Sequence, residues 1–168
     1  MPWTRFSAKK IHNVAVIPYR GTPESAGFDL FAMTDIVLLP GTDHEVPLGL
    51  LMQFPDGYYG QFKSRSGHAR KLKVEVMAGT IDKDYSGEII LMCRTRATTP
   101  HTIPNGTACA QIVLLPTFYK QQHADEVDDL WAEPDQREGA RGAGGFGSTT
   151  RLKKTSKSSI QISFSVNS

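Results

Sequence analysis

Apolar residues in this chain come in short runs, broken by glycine, proline and acids at the spacing of strands. Val74, Val76 and Ala78 alternate with Lys73, Glu75 and Met77, and Ile89, Ile90, Leu91 and Met92 form an apolar run further on. Between them lies Gly79-Thr80-Ile81-Asp82-Lys83-Asp84-Tyr85-Ser86-Gly87. Asp and Gly at that place predict two strands folded against each other around a polar tip. The same alternation predicts strands at residues 12–18, 26–32, 36–39, 43–46, 50–54 and 58–63, with turns at Pro40-Gly41 and Asp56-Gly57. Residues 94–106 read as a strand and a turn, and 107–116 as a strand carrying one amide, Gln111. No helical period is sustained in the first hundred residues; residues 68–72 allow one helical turn at most. Short strands at close spacing predict an all-β sandwich or barrel.

The periodicity changes after residue 120. Acids, Gln and His dominate residues 121–137, where Trp131 is the one large apolar side chain. That composition reads as an extended surface segment. Residues 141–150 are dense in glycine, with Arg141, Phe146 and hydroxyls among them. They read either as a flexible loop closing over a phosphorylated ligand or as a plain linker. No Gly-Lys-Ser/Thr ends the run, so it is not a Walker loop. Residues 151–168 open basic and Ser-rich, then alternate at Ile160, Ile162, Phe164 and Val166, a pattern that suits one more strand. The chain thus divides into a core at 1–120, an arm at 121–150 and a tail at 151–168. The tail is open to a linker, a targeting or a partner-binding reading.

Composition narrows the class. A chain of 168 residues suits one domain with a sizeable core. Its 15 glycines and 10 prolines favour many turns. A net charge of +2 makes no demand for nucleic acid. The apolar runs are too short to span a bilayer, and residues 1–6 lack the apolar stretch of a secretion signal, so the cytosol or nucleus is expected. Cys93 and Cys109 have neither metal-site nor disulfide spacing and read as reduced core residues.

Candidate chemistry sits at four places. The tip offers Asp82 as a base for a water and Tyr85 as a flat wall, between glycines that allow close approach of a ligand. A solvated turn has the same composition. Asp29, flanked by Phe28 and Leu30, is costly to bury without a partner: a metal ion, an Arg or a set of N–H groups. It could also bond its own backbone. Residues 63–71, with Ser64, Arg65, Ser66 and Gly67, have the composition of an anion site or of a basic surface loop. Gln111 is either a core amide or a ligand contact.

Taken in order, these stretches resemble the trimeric dUTP pyrophosphatase (dUTPase) family. Residues 26–32, 64–71, 78–87, 105–114 and 141–149 are similar to its five ordered motifs, the third and fifth being the most specific. The resemblance covers roughly residues 11 to 150. It implies a distorted jelly-roll or β-barrel subunit of the β-clip type, assembled as a homotrimer with shared active sites and a C-terminal arm exchanged between subunits. It implies hydrolysis of dUTP to dUMP and pyrophosphate with Mg2+.

By the resemblance, Asp82 is the general base, while Arg65, Ser66, Gly67 and Gln111 hold phosphates and the attacking water. Tyr85 packs on the deoxyribose, and the backbone at Gly79, Thr80 and Ile81 reads the uracil. Asp29 faces Mg2+ through water. Arg141 and Ser148 grip the terminal phosphate, Gly147 binds substrate beside them and Phe146 stacks on the base. Departures are Ser64 for a usual Pro, His68 for a usual Leu, Thr107-Ala108-Cys109 in the fourth motif and Thr150 for a Gly in the fifth. None removes a named functional group. The competing expectations are an interaction module that has lost catalysis and, less favoured, a dCTP deaminase, whose Glu base the third motif does not supply.

Overall fold

The computed structural model describes residues 4–126. A first compact unit runs to Gln122. Its elements are β1 (Ser7–Lys10), β2 (Gly27–Phe31), β3 (Ile36–Leu38), β4 (Asp43–Pro47), β5 (Leu50–Gln53), β6 (Tyr58–Lys63), α1 (Ser66–Lys71), β7 (Val74–Met77), β8 (Thr80–Ile81), β9 (Ile90–Thr95), β10 (His101–Ile103) and β11 (Ala108–Pro116). The expected all-β architecture holds. The pairings are antiparallel, in sheets ordered β2-β11-β6-β8, β4-β9-β7, β1-β5 and β10-β3.

Alternation decides what is buried. In β3, Ile36 and Leu38 point inward and Val37 outward; in β9, Leu91, Cys93 and Thr95 point inward. With Leu30, Leu48, Leu50, Phe54, Ile89, Ile103 and Ile112 they belong to one core cluster, apart from the polar Thr95. Each such apolar side chain contributes about 1.5–3 kcal/mol when fully buried. The Thr95 hydroxyl is satisfied by donating to the Leu72 carbonyl at 2.7 Å and accepting the Ala97 N–H at 3.0 Å. Cys93 and Cys109 are free and buried, as expected, and burial pushes their thiols up to about 11 and about 12. Among the described residues, no helix is long and apolar enough to cross a membrane.

Three expectations change. Residues 12–18 are not a strand. The chain bends there, Ala15 N–H donating to His12 C=O at 3.2 Å and Ile11 N–H to Gly49 C=O at 2.9 Å. Val14 and Ile17 are left 57% and 43% exposed while Ala15 is buried. Gly49, at φ +65°, permits the close approach, since a Cβ there would stand 3.0 Å from the Ala15 Cβ. The strand in this region is β1, whose sequence SAKK hides it because Ala8 is its one apolar residue.

The helix also begins two residues before the predicted turn and spans six residues. The arms of the 74–92 hairpin pair as expected, Val74 with Thr95 and Met77 with Met92. Its tip, however, leaves that sheet: Thr80 pairs with Gln61 and Ile81 with Gly60. Ala78, at φ +44°, is the residue where the chain swings from one sheet to the other.

Candidate active site

Directly opposite residues of antiparallel strands share a face. One row on the outer face of the four-stranded sheet is therefore Asp29–Gln111–Lys63, across β2, β11 and β6. The next row is Gly27–Val113–Gln61–Thr80. Leu30, Ile112 and Phe62 alternate with these residues and enter the core.

A cleft of about 220 Å³ opens at one side of that face, lined by Gly21, Ser25, Gly27, Asp29, Arg65, Ser66 and Gln111. The partner that Asp29 requires is Arg65: Nε stands 3.1 Å from Oδ1, and Nη2 donates to Oδ2 at 3.4 Å. Arg65 Nη1 also donates to the Ala108 carbonyl at 3.2 Å, and His68 Nδ1 lies 3.3 Å from the Cys109 carbonyl. These carbonyls sit where the register of β11 shifts against β2, between Ala108 and Ala110. Gln111 Nε2 donates to Ser64 C=O at 3.2 Å, so Oε1 faces Gly27. A Cβ on Gly27 would stand 2.5 Å from that oxygen, and only glycine leaves it room.

Among the described residues, no three His, Cys, Asp or Glu side chains cluster as a metal cage. Asp29 is the one carboxylate lining the cleft. A carboxylate has about four lone-pair positions, of which Arg65 engages two. The remainder suit a hydrated Mg2+ whose direct ligands come mainly from phosphates, so the residues fit such an ion.

The second group lies on β8 and the loop after it. Among the described residues, β8 is an edge strand. Phe62 N–H donates to Gly79 C=O at 2.7 Å. By ladder alternation, the backbone groups of the next residue, Thr80, point off the open edge. Its hydroxyl donates to Gln61 Oε1 at 3.2 Å. A Cβ on Gly79 would meet Gln61 Nε2 at 2.8 Å and the Phe62 carbonyl at 3.0 Å.

Asp82 follows, exposed. Tyr85 N–H donates to Asp82 C=O at 3.2 Å, and Tyr85 Oη donates to Glu88 C=O at 3.0 Å. The tyrosine ring lies over Gly87, where a Cβ would come within 2.6 Å of Oη. Glu88 Oε1 accepts the Gly49 N–H at 3.1 Å, tying the loop to the β4–β5 turn. Lys83 pairs with Asp56 in the β5–β6 turn. A cleft of about 420 Å³ lies where residues 83–86 face β1 and β5.

Asp29, Arg65, Ser66 and Gln111 are thus brought together, whereas Gly67 is exposed on α1 and outside the cleft lining. Gly79, Thr80, Ile81, Asp82 and Tyr85 form the other group. Three interstrand steps, about 14 Å, separate β2 from β8, so one chain does not place Asp82 beside Asp29. Trp131, Arg141, Phe146, Gly147, Ser148 and the alternation at 160–166 lie outside the described residues. Sequence reasoning missed Glu88, Gln61 and Ser25. It also missed the role of Gly27, although a glycine two residues before an acid on one strand face is a readable sign of a recess.

These features define an all-β protein whose polar sheet face carries an ion-paired cleft and ends in an open strand edge beside an acid-bearing loop. A family model described as dUTPase matches residues 13–150, and the chain belongs to that family. It is 38% identical over 137 residues to the deoxyuridine 5'-triphosphate nucleotidohydrolase of Anaplasma marginale, covering 79% of this chain and 88% of that one. It is 36% identical over 147 residues to the enzyme of the same name from Nautilia profundicola, covering 86% and 98%. Among solved structures, a single-substitution variant of the dUTPase of Staphylococcus bacteriophage 80alpha with dUpNHpp superposes with a TM-score of 0.72 at 22% identity, covering 86% of this chain and 98% of that one. A single-substitution variant of the dUTPase of phage phi11 of S. aureus, studied for the coordination of a structural Mg(II) ion, does so at 0.68 and 21%, covering 75% and 98%. The fold is the distorted jelly roll expected of the family.

Proposed function

We propose that the chain hydrolyses dUTP to dUMP and pyrophosphate. The observation that carries this is the loop at 79–87, which sets an exposed carboxylate and a tyrosine ring beside the unpaired backbone of an edge strand in a member of the dUTPase family. The outward N–H and C=O at Thr80 match the donor–acceptor edge of uracil. The Tyr85 ring, fixed at both ends, walls the sugar and leaves no room for a 2′-hydroxyl. Asp82 takes a proton from a water as that water's oxygen attacks the α-phosphorus; the bond to the bridging oxygen breaks and pyrophosphate leaves. Arg65, Ser66, Gly67 and Gln111 hold the phosphates and position the water. Asp29 would hold Mg2+ through its waters, and the ion would supply charge neutralisation on the phosphates.

One nucleotide must touch both groups of residues, and within a chain the edge strand β8 lies three strands from Asp29 on β2. We therefore read the working protein as a homotrimer with each site shared between copies, which the separation of β2 from β8 supports. By the family resemblance, Arg141 and Ser148 serve the terminal phosphate and Phe146 the base; these residues lie outside the described ones.

The test is pyrophosphate release with Mg2+ from dUTP beside dTTP, dCTP and UTP, with Asp82→Asn as control. Release from dUTP alone, lost in the variant, is the expected result. No release from the folded wild type sinks the enzymatic reading and leaves an interaction module. Truncation before Arg141 is expected to abolish turnover nearly completely; full activity there removes the arm from the mechanism.

A further inference from the structure

We propose that Lys63 is a further phosphate-binding residue, holding the triphosphate of the substrate beside Gln111. The inference rests on the dUTP reading above. Lys63 ends β6 directly opposite Gln111, on the side away from Asp29. Side chains so paired share a face with Cβ atoms about 5 Å apart. A four-carbon stem there carries an ammonium past the Gln111 amide, over any phosphate which that amide contacts.

Charge makes the placement useful. Arg65 and Asp29 cancel one another within the cleft. A triphosphate brings about four negative charges, which a neutral pair and one divalent ion offset only in part. Arg65, Lys83, Arg94 and Arg96 are each engaged by a carboxylate. Lys63 is exposed and pairs with no carboxylate among the described residues. The residue two positions back on the same face, Gln61, accepts the Thr80 hydroxyl and carries no charge, so Lys63 is the cation of that face. The uncompensated cation of the row Asp29–Gln111–Lys63 therefore stands at the border of the cleft, where the part of the ligand that outgrows it emerges.

The test uses the full-length protein with Lys63→Met and Lys63→Arg, both expected to unfold near the wild-type temperature because the side chain is exposed. Equilibrium affinity is measured for the imido analogue dUpNHpp and for dUMP, with KM and kcat for dUTP. For Lys63→Met the analogue is expected to bind about tenfold more weakly, the loss of one charge-assisted contact. Affinity for dUMP changes less than about twofold, and KM rises while kcat falls less than about twofold. Lys63→Arg stays near wild type, since the charge is kept. Unchanged analogue affinity overturns the assignment, and so does an equal loss for dUMP and the analogue. A wild type that turns over dUTP beside an indifferent Lys63→Met rejects this inference alone; a folded wild type inert toward dUTP rejects both.

Discussion

Arg65 Nε stands 3.1 Å from Asp29 Oδ1, and the same guanidinium donates to the Ala108 carbonyl at 3.2 Å. One side chain thus joins the end of β6 to β2 and to the register shift in β11. The pair is partly exposed, its side chains 37% and 20% accessible, so its contribution to stability is at most about 1 kcal/mol. Its value lies in geometry. Arg65→Lys keeps the charge and loses the fork, and is expected to lower turnover at least about tenfold while costing little stability. Pyrophosphate release and a melting curve check the two halves of that statement.

Gly27→Ala puts a methyl where Gln111 Oε1 lies, 2.5 Å away, and 3.2 Å from the Gln111 Cβ. The amide is expected to swing out of the cleft, breaking its bond to Ser64 C=O, at a cost of about 1–2 kcal/mol. Adding Gln111→Ala to that variant should recover stability and leave activity low. Urea unfolding of the single and double variants shows the recovery, and a double variant as unstable as Gly27→Ala rejects the clash as its cause.

Tyr85→Phe removes the bond to Glu88 C=O, worth about 1 kcal/mol, and keeps the ring. Discrimination between dUTP and UTP is expected to survive it. Gly87→Ala forces the ring aside and should lower the ratio of kcat/KM for the two nucleotides at least about tenfold. If Gly87→Ala keeps the wild-type ratio, ring placement is not what rejects the ribose.

Coexpressing Asp82→Asn with Arg65→Ala tests the shared site. Each variant alone is expected to be nearly inactive. Random trimers of the two should regain about a quarter of wild-type turnover, because each shared site then has two independent chances of one in two to be intact. No recovery from mixed trimers places both residues of each site in one chain.

Burial raises the thiols of Cys93 and Cys109 from 9.0 to about 11 and about 12. The folded state therefore holds protons that the unfolded chain releases above pH 9. Stability is fully present below that value and falls as pH rises through the window from 9 to about 11, by up to about 1.4 kcal/mol per unit per thiol. Native protein at about pH 8 should resist alkylation that goes to completion in denaturant. Rapid modification of either thiol in the native protein contradicts their burial.

Strand pairing inside one hairpin was legible because Val74 and Val76 are apolar at period two and 89–92 is a continuous apolar run. The swing at Ala78 was not, because a left-handed alanine has no composition signal, and Thr80–Ile81 pairs with a strand some twenty residues earlier. β1 escaped because three of its four residues are polar and its partner is distant in sequence. Residues 12–18 misled because the same alternation also suits a chain bending over a close-packed glycine. At Asp29 the cost of burial correctly demanded a partner, but choosing among an Arg, a metal and backbone N–H groups needed the fold. Asp82 and Tyr85 were readable as chemistry; the three strands between β8 and Asp29 within one chain were not, since sequence order says nothing about sheet order.

The open edge at β8 also bears on solubility. Unpaired strand edges invite other strands, and proteins usually guard them with charge or brevity. Here the edge is two residues long and is followed at once by Asp82 and Lys83. Such an edge is long enough to be read by a flat heterocycle and too short, and too charged at its end, to template a second polypeptide. The constraint that admits a small planar guest thus also protects the protein from its own kind.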